Sequence, residues 1–154
     1  VREISVSTTI DAPPALVWQV LTDTSAYGAW NPFMPVLAGE LREGRRLEVR
    51  IVPPGSRGMT FRPTVTAAEE ARELAWLGRL GLPGLFDGTH SFTLTPRTDG
   101  GTELTQREVF RGLLVPLGAS MLRRTEAGFA AMNEALKHRA EGLAGRDGRV
   151  DATR

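Results

Sequence analysis

The chain has 154 residues, no cysteine, and 19 basic against 18 acidic side chains, for a formal net charge of +1. That length suits one domain burying roughly two thirds of its unfolded surface; the scattered, balanced charge excludes a nucleic-acid footprint or a polybasic membrane-binding run, and the missing thiols exclude disulfides, thiolate catalysis and Cys-ligated zinc. No apolar run reaches the ~20 residues of a membrane span and no signal-peptide pattern opens the sequence, so a soluble, cytoplasmic protein without membrane insertion is expected.

Ile4, Val6, Thr8 and Ile10 alternate with Ser5, Ser7 and Thr9, which predicts a strand with one face toward a core. Asp11 is placed to cap a short helix, with Pro13 and Pro14 at its first positions and Leu16, Val17, Val20 and Leu21 as its apolar face. Asp23, Thr24 and Ser25 offer a second cap for a turn or two, which Asn31-Pro32 ends. Trp30, Phe33 and Met34 are large and apolar in a connection where polar residues are usual, so something must cover them.

Strands and turns follow. Val36 to Leu41 and then Leu47, Val49 and Ile51 read as strands, and Pro53-Pro54-Gly55 is a strong turn. Met59, Phe61, Pro63, Val65 and Ala67 share one parity of the next strand, in which Pro63 limits hydrogen bonding on one side. Leu74, Trp76, Gly78 and Leu80 share a face, and His90, Phe92 and Leu94 share another within Phe86 to Thr95. Thr98-Asp99-Gly100-Gly101 is a hairpin turn into Thr102 to Arg111, where Leu104, Gln106, Glu108 and Phe110 point the same way. The last long segment, Leu117 to Leu143, carries Leu117, Met121, Gly128 with Phe129, Met132 and Leu136 at helical spacing. Pro116 stands before it, Gly142 and Gly145 mark its end, and 144–154 reads as a disordered tail behind a domain spanning 1–143. Segregated helices and consecutive strands with short turns give an α+β protein with an antiparallel meander.

Several phrases carry a resemblance. Thr8-Thr9-Ile10-Asp11-Ala12-Pro13 leading to Val17-Trp18, then Trp30-Asn31-Pro32-Phe33, Leu74-Ala75-Trp76, His90-Ser91-Phe92-Thr93-Leu94, Gly101-Thr102-Glu103-Leu104-Thr105 and Glu108-Val109-Phe110-Arg111-Gly112 are similar to the START-like superfamily. This superfamily is also called Bet v 1-like, or the polyketide cyclase/dehydrase and lipid-transport group (SRPBCC). The resemblance covers about residues 2 to 143. It implies a helix-grip fold: a seven-stranded antiparallel curved sheet wrapped around the long C-terminal helix, with two short helices between strands 1 and 2. It also implies a cavity that binds an apolar molecule. An iron-dependent oxygenase role is set aside, because His90 and His138 are the only histidines and fall on separate elements.

Within that frame the candidate acid-base groups are His90 and Glu108, which parity places on one face of paired strands. The same pair also reads as a satisfied buried hydrogen bond, or as one in which a bulge turns one partner to solvent. The candidate ligand-binding wall is Trp30 and Phe33 on a connection that forms one rim of the mouth or equally a hydrophobic plug, Met59, Phe61, Trp76 and Phe86 on strands, His90, Phe92, Gln106, Glu108 and Phe110 beside them, and Met121, Phe129 and Met132 on the helix; the aromatic stripe also reads as plain core and the helix methionines as ordinary packing. Gly128 in mid-helix leaves room beneath it at a cost of about 1 kcal/mol against alanine. Gly78, Gly81 and Gly84 match no phosphate-binding fingerprint, Arg123 and Arg124 belong to a solvated helix face, and no Gly-x-Ser-x-Gly elbow is present. No metal and no cofactor is expected. The first reading is a monomer or homodimer that binds a hydrophobic small molecule, lipid-like or aromatic and polyketide-like. The second is a polyketide aromatase/cyclase or dehydratase using His90 and Glu108; the third is a partner-binding module whose cavity is filled by side chains.

Overall fold

Alternation at the start of the chain becomes β1 (Arg2–Ile10), with Ile4 and Ile10 buried between exposed neighbours. In the computed structural model, which describes residues 1–151 apart from the side chains at 116, 117 and 148–151, α1 (Pro14–Thr22) and α2 (Tyr27–Trp30) follow, joined by a 3-10 turn at Thr24–Ala26. Asp11 does not cap α1. Pro13 holds the N-cap without a side-chain hydrogen bond and Pro14 opens the helix, where a residue lacking an N–H leaves one fewer donor to satisfy. The Asp11 N–H donates instead to Glu141 Oε1, 3.0 Å away. Tyr27 is fully buried and donates its hydroxyl to the Leu21 carbonyl; burial, with Asp23 nearby, pushes that hydroxyl above its ordinary pKa.

The remaining strands are β2 (Val36–Ala38), β3 (Glu48–Ile51), β4 (Met59–Phe61), β5 (Thr64–Glu69), β6 (Glu73–Arg79), β7 (Asp87–Pro96) and β8 (Thr102–Arg111). They form two antiparallel sheets, β1-β8-β7-β6-β5 and β2-β3-β4, where one sheet of seven was expected. The extra break lies at Pro63, which cannot donate to a ladder and divides one run into β4 and β5. Backbone bonds still cross the divide, from Leu47 N to Pro63 O and from Val65 N to Arg45 O, both at 2.9 Å. Counting β4 and β5 as one interrupted strand recovers the expected seven. A bulge between Val65 and Ala67 shifts the parity of β5, so Ala68, rather than Ala67, packs against the core.

The long helix α3 (Ala119–Asp151) begins after a 3-10 turn at Val115–Gly118, two residues later than its sequence pattern suggests. It runs along β1 and packs on α1, burying Thr125, Phe129, Met132, Asn133, Leu136 and Ala140 at spacings of three and four. Leu117, read as the first residue of that stripe, has its side chain outside the described residues. The segment from 144, expected to be a disordered tail, is helical through Asp151. A helix already nucleated extends at one hydrogen bond per residue, so Gly142 and Gly145 weaken it without ending it. Residues 152–154 lie outside the described residues.

Candidate functional site

Three strands supply the inner face opposite α3. Leu74, Trp76 and Gly78 on β6, Gly88, His90, Phe92 and Leu94 on β7, and Leu104, Gln106, Glu108 and Phe110 on β8 all turn inward, as strict alternation in an unbulged stretch requires. The registers set Trp76 opposite His90, His90 opposite Glu108, and Gly78 opposite Gly88. At one end of this face large side chains close the space under α3. Trp76, Phe92, Phe129 and Met132 are buried there at 1 % exposure or less. At the other end the paired glycines project nothing, and a cavity of about 430 Å³ opens.

Gly78, Gly88, Glu108 and Phe110 form the floor of this cavity. A Cβ at Gly78 would lie 3.1 Å from the Phe61 ring, and one at Gly88 would lie 2.5 Å from Glu108 Oε1. The two missing side chains therefore make room for the aromatic wall and for the carboxylate. Ile51, Met59 and Phe61 line one side, Leu80 and Phe86 the other, and Ser120, Met121 and Thr125 descend from α3. Arg57, Arg79 and Arg124 stand at the exposed rim. Arg124 Nη1 donates to the Gly55 carbonyl at 3.0 Å, which ties α3 to the turn between β3 and β4. Arg79 Nε lies 3.8 Å from Asp87 Oδ2.

Of the residues expected to meet a ligand, Met59, Phe61, Phe86, Glu108, Phe110 and Met121 line the cavity. Trp30, Phe33, Trp76, His90, Phe92, Gln106, Phe129 and Met132 do not; they belong to the packed core or its margin. Parity names the face on which a side chain sits but not its depth, and depth separates the two groups. Of the two readings of Phe33, rim or hydrophobic plug, the structure has the plug. It packs edge-on against Phe129 with centroids 5.5 Å apart and fills the space above Gly128, where a Cβ would lie 2.2 Å from its ring. Asn31 fixes that arrangement, because its Oδ1 accepts from the N–H groups of Phe33 and Met34 at 3.2 and 2.8 Å. Trp30 meets Tyr27 edge to face at 5.2 Å.

His90 and Glu108 do meet, with Nδ1 3.6 Å from Oε2. That separation is an electrostatic approach rather than a hydrogen bond. Glu108 reaches the cavity and His90 does not. The imidazole stacks on Trp76 at 5.0 Å and lies 4.7 and 4.8 Å from the Phe92 and Phe129 rings. Its Nε2 is covered by Gln106 Nε2 at 3.1 Å. In chemical terms one carboxylate stands on an otherwise largely apolar wall, backed by an imidazole that does not itself line the cavity.

Sequence reasoning missed the floor glycines Gly78 and Gly88, the apolar Ile51 and Leu80, the hydroxyls Ser120 and Thr125, and the three rim arginines. Arg124 lies on a solvated helix face, as its spacing implies, and also borders the cavity. The glycines did leave a signal, since both occupy inward positions on adjacent strands. The filled cavity of the third sequence reading is not what this end of the fold contains. Among the described residues, no three His, Cys, Asp or Glu side chains come together to hold a metal ion, and no helix is long and apolar enough to cross a membrane.

Three solved structures illustrate how widely this architecture is shared. The Zhui aromatase/cyclase from Streptomyces sp. R1128 is 20% identical, with a TM-score of 0.69 over 91% of this chain and 93% of its own. A START superfamily protein from Mycobacterium smegmatis is 20% identical, with a TM-score of 0.71 over 92% and 98%. A protein from Mesorhizobium loti is 23% identical, with a TM-score of 0.70 over 89% and 95%. At these identities the likeness is one of fold. No sequence match among curated proteins accompanies it. The sequence itself matches the family described as polyketide cyclase / dehydrase and lipid transport over residues 1–141. With that match spanning nearly the whole helix-grip domain, the chain belongs to the polyketide cyclase/dehydrase and lipid-transport family.

Proposed function

We propose that the protein binds a hydrophobic small molecule, aromatic and polyketide-like or lipid-like, in the cavity between the sheet and the start of α3. The observation that carries this reading is the cavity itself: about 430 Å³, walled by Met59, Phe61, Phe86, Phe110 and Met121 over a floor emptied by Gly78 and Gly88. A volume of this size with apolar walls and a few polar groups suits a small ligand. Methionine adds a deformable surface that tolerates irregular shapes. Glu108 sets orientation, because a carboxylate on an apolar wall favours a ligand that presents a hydroxyl, phenol or other donor to it.

Calorimetric titration with a fused-ring hydroxyketone and a long-chain fatty acid tests the reading. Binding of at least one at unit stoichiometry, with a negative heat-capacity change, is the expected result. No binding by either would count against it.

A second reading, cyclisation or dehydration of a polyketide-like substrate, is favoured by one observation, the approach of His90 Nδ1 to Glu108 Oε2. In that reading Glu108 takes the proton from carbon beside a ketone, and His90 holds the carboxylate in place from behind. Glu108→Gln keeps the shape and a hydrogen-bonding group but removes the base. The enzyme reading expects turnover lost with binding retained; the binding reading expects altered affinity or selectivity and no turnover in either protein.

A further inference from the structure

We propose that the end of the fold bearing the cavity mouth is a peripheral docking surface for an anionic lipid bilayer. Two segments form it, the loop from Leu80 to Phe86 between β6 and β7 and the connection from Gly112 to Val115 after β8. They are fastened together. The Leu113 N–H donates to the Gly84 carbonyl at 3.2 Å and the Leu114 N–H to the Leu85 carbonyl at 3.0 Å. Gly112, at a φ of 128°, permits this approach, since a Cβ there would lie 2.3 Å from the Leu85 oxygen.

The fastening holds leucines out of the core. Leu82 is 72% exposed, Leu113 80%, Leu114 46% and Leu80 38%. The other large apolar side chains exposed to this extent among the described residues are Val1 and Val36. Single exposed leucines need no explanation, but a cluster on adjoining loops marks an interaction site. Exposed apolar surface is unfavourable in water by about 25 cal/mol per Å², so this end has affinity for anything apolar that fits it.

Charge identifies the occupant. Over 79–87 and 108–126 the chain carries Arg79, Arg111, Arg123 and Arg124 against Asp87, Glu108 and Glu126, and Glu108 faces the cavity rather than the outer surface. Asp87 is already engaged, 3.8 Å from Arg79 and accepting from the Gly84 N–H at 3.2 Å. The sequence has no polybasic run because these arginines come from separate segments that only the fold brings to one end. Apolar tips among arginines match the two layers of an anionic bilayer surface, acyl chains below and acidic headgroups around them. A protein partner is less well matched, since the aromatic anchors Trp and Tyr on which protein interfaces rely are absent from these segments and leucine stands in their place.

The consequence concerns access. Leu80 and Phe86 belong both to this loop and to the cavity wall, so the docked surface is continuous with the mouth, and an apolar ligand passes between bilayer and cavity without crossing water. The docking itself stands on the loops alone, so its failure is distinguishable from failure of the cavity reading.

Flotation with vesicles of phosphatidylglycerol and phosphatidylcholine in equal parts, and with phosphatidylcholine alone, is the test. The wild-type protein floats with the mixed vesicles, floats less with the neutral ones, and is released as salt is raised. The double variant Leu82→Ser, Leu113→Ser lowers partitioning at least about tenfold, while its melting temperature and its binding of an apolar dye in solution stay as in wild type. Arg111→Glu weakens binding to the mixed vesicles and spares the neutral ones. Failure of the wild type to float, or equal flotation of the double variant, overturns the proposal. So does a leucine-dependent dimer in sedimentation, or leucine-dependent binding to an acidic protein by a chain that ignores vesicles.

Discussion

Phe33 and Gly128 show how one missing side chain places another. The phenyl ring occupies the position of the absent Cβ in α3, so Gly128 pays for its lower helix propensity by admitting the ring that seals the core against Phe129. Gly128→Ala gains up to about 1 kcal/mol of helix propensity but forces a ring out of a packed site, a cost of about 1 to 3 kcal/mol. The account therefore predicts a lower urea midpoint for Gly128→Ala; a raised midpoint would mean that the ring is free to move aside. At Gly88 the equivalent atom would clash with the end of the flexible Glu108 side chain and would touch the Phe110 ring at an ordinary 3.7 Å. Gly88→Ala is accordingly expected to fold with nearly unchanged stability and to alter ligand selectivity through a displaced carboxylate, as competitive titration of two ligands would show. The pairing of His90 with Glu108 was legible because both strands alternate without a bulge. What alternation does not encode is depth, and three aromatic rings place His90 beneath the wall. The rim arginines were illegible for a related reason, since an arginine at a strand end or on an exposed helix face has the same local pattern whether or not a cavity opens beside it.

Between elements, the join of α3 to β1 is polar where the rest of the grip is apolar. Lys137 Nζ donates to the Thr9 carbonyl at 2.7 Å and pairs with Glu141, which accepts the Asp11 N–H. Burial alone pushes the Glu141 carboxyl up, but the Asp11 N–H and the Lys137 ammonium together hold it below its ordinary 4.5. A carboxyl with a lowered folded-state pKa stabilises the fold above its unfolded value and loses that contribution as pH falls through the folded one. The stability difference between wild type and Glu141→Gln is thus expected to be level above about pH 5 and to shrink in stronger acid, as urea unfolding at several pH values would measure. Its size is small, below about 1 kcal/mol, because both side chains are partly exposed. A difference that grew in acid would contradict the assignment. This join has no signature in the sequence, because Asp11 followed by two prolines reads as a helix cap. The strands were legible within a few residues, since period-two alternation survives even where Pro63 splits one of them. The continuation of α3 past its glycines was not, because a helix anchored upstream needs little local propensity to continue.

For the molecule as a whole, the fold follows from a sheet that offers more concave surface than one helix fills. Large side chains take up the excess at one end, and at the other two facing glycines leave it open. The sequence resemblance led to the architecture because its phrases mark strand ends, turns and core positions. It led to function only as a class, since a cavity's shape is set by how rings and glycines pack across strands that are distant in sequence. The central claim is that the open end is a binding site, and the most direct test is fluorescence titration of a hydrophobic dye into wild type and Gly78→Leu. The leucine side chain points into the floor, beside the Phe61 ring. The account predicts one saturable site in wild type, weakened at least about tenfold in the variant because the added side chain occupies the ligand's volume, with melting lowered as the Phe61 ring gives way but the fold kept. Absence of a saturable site in wild type, or equal binding by a folded variant, would contradict it.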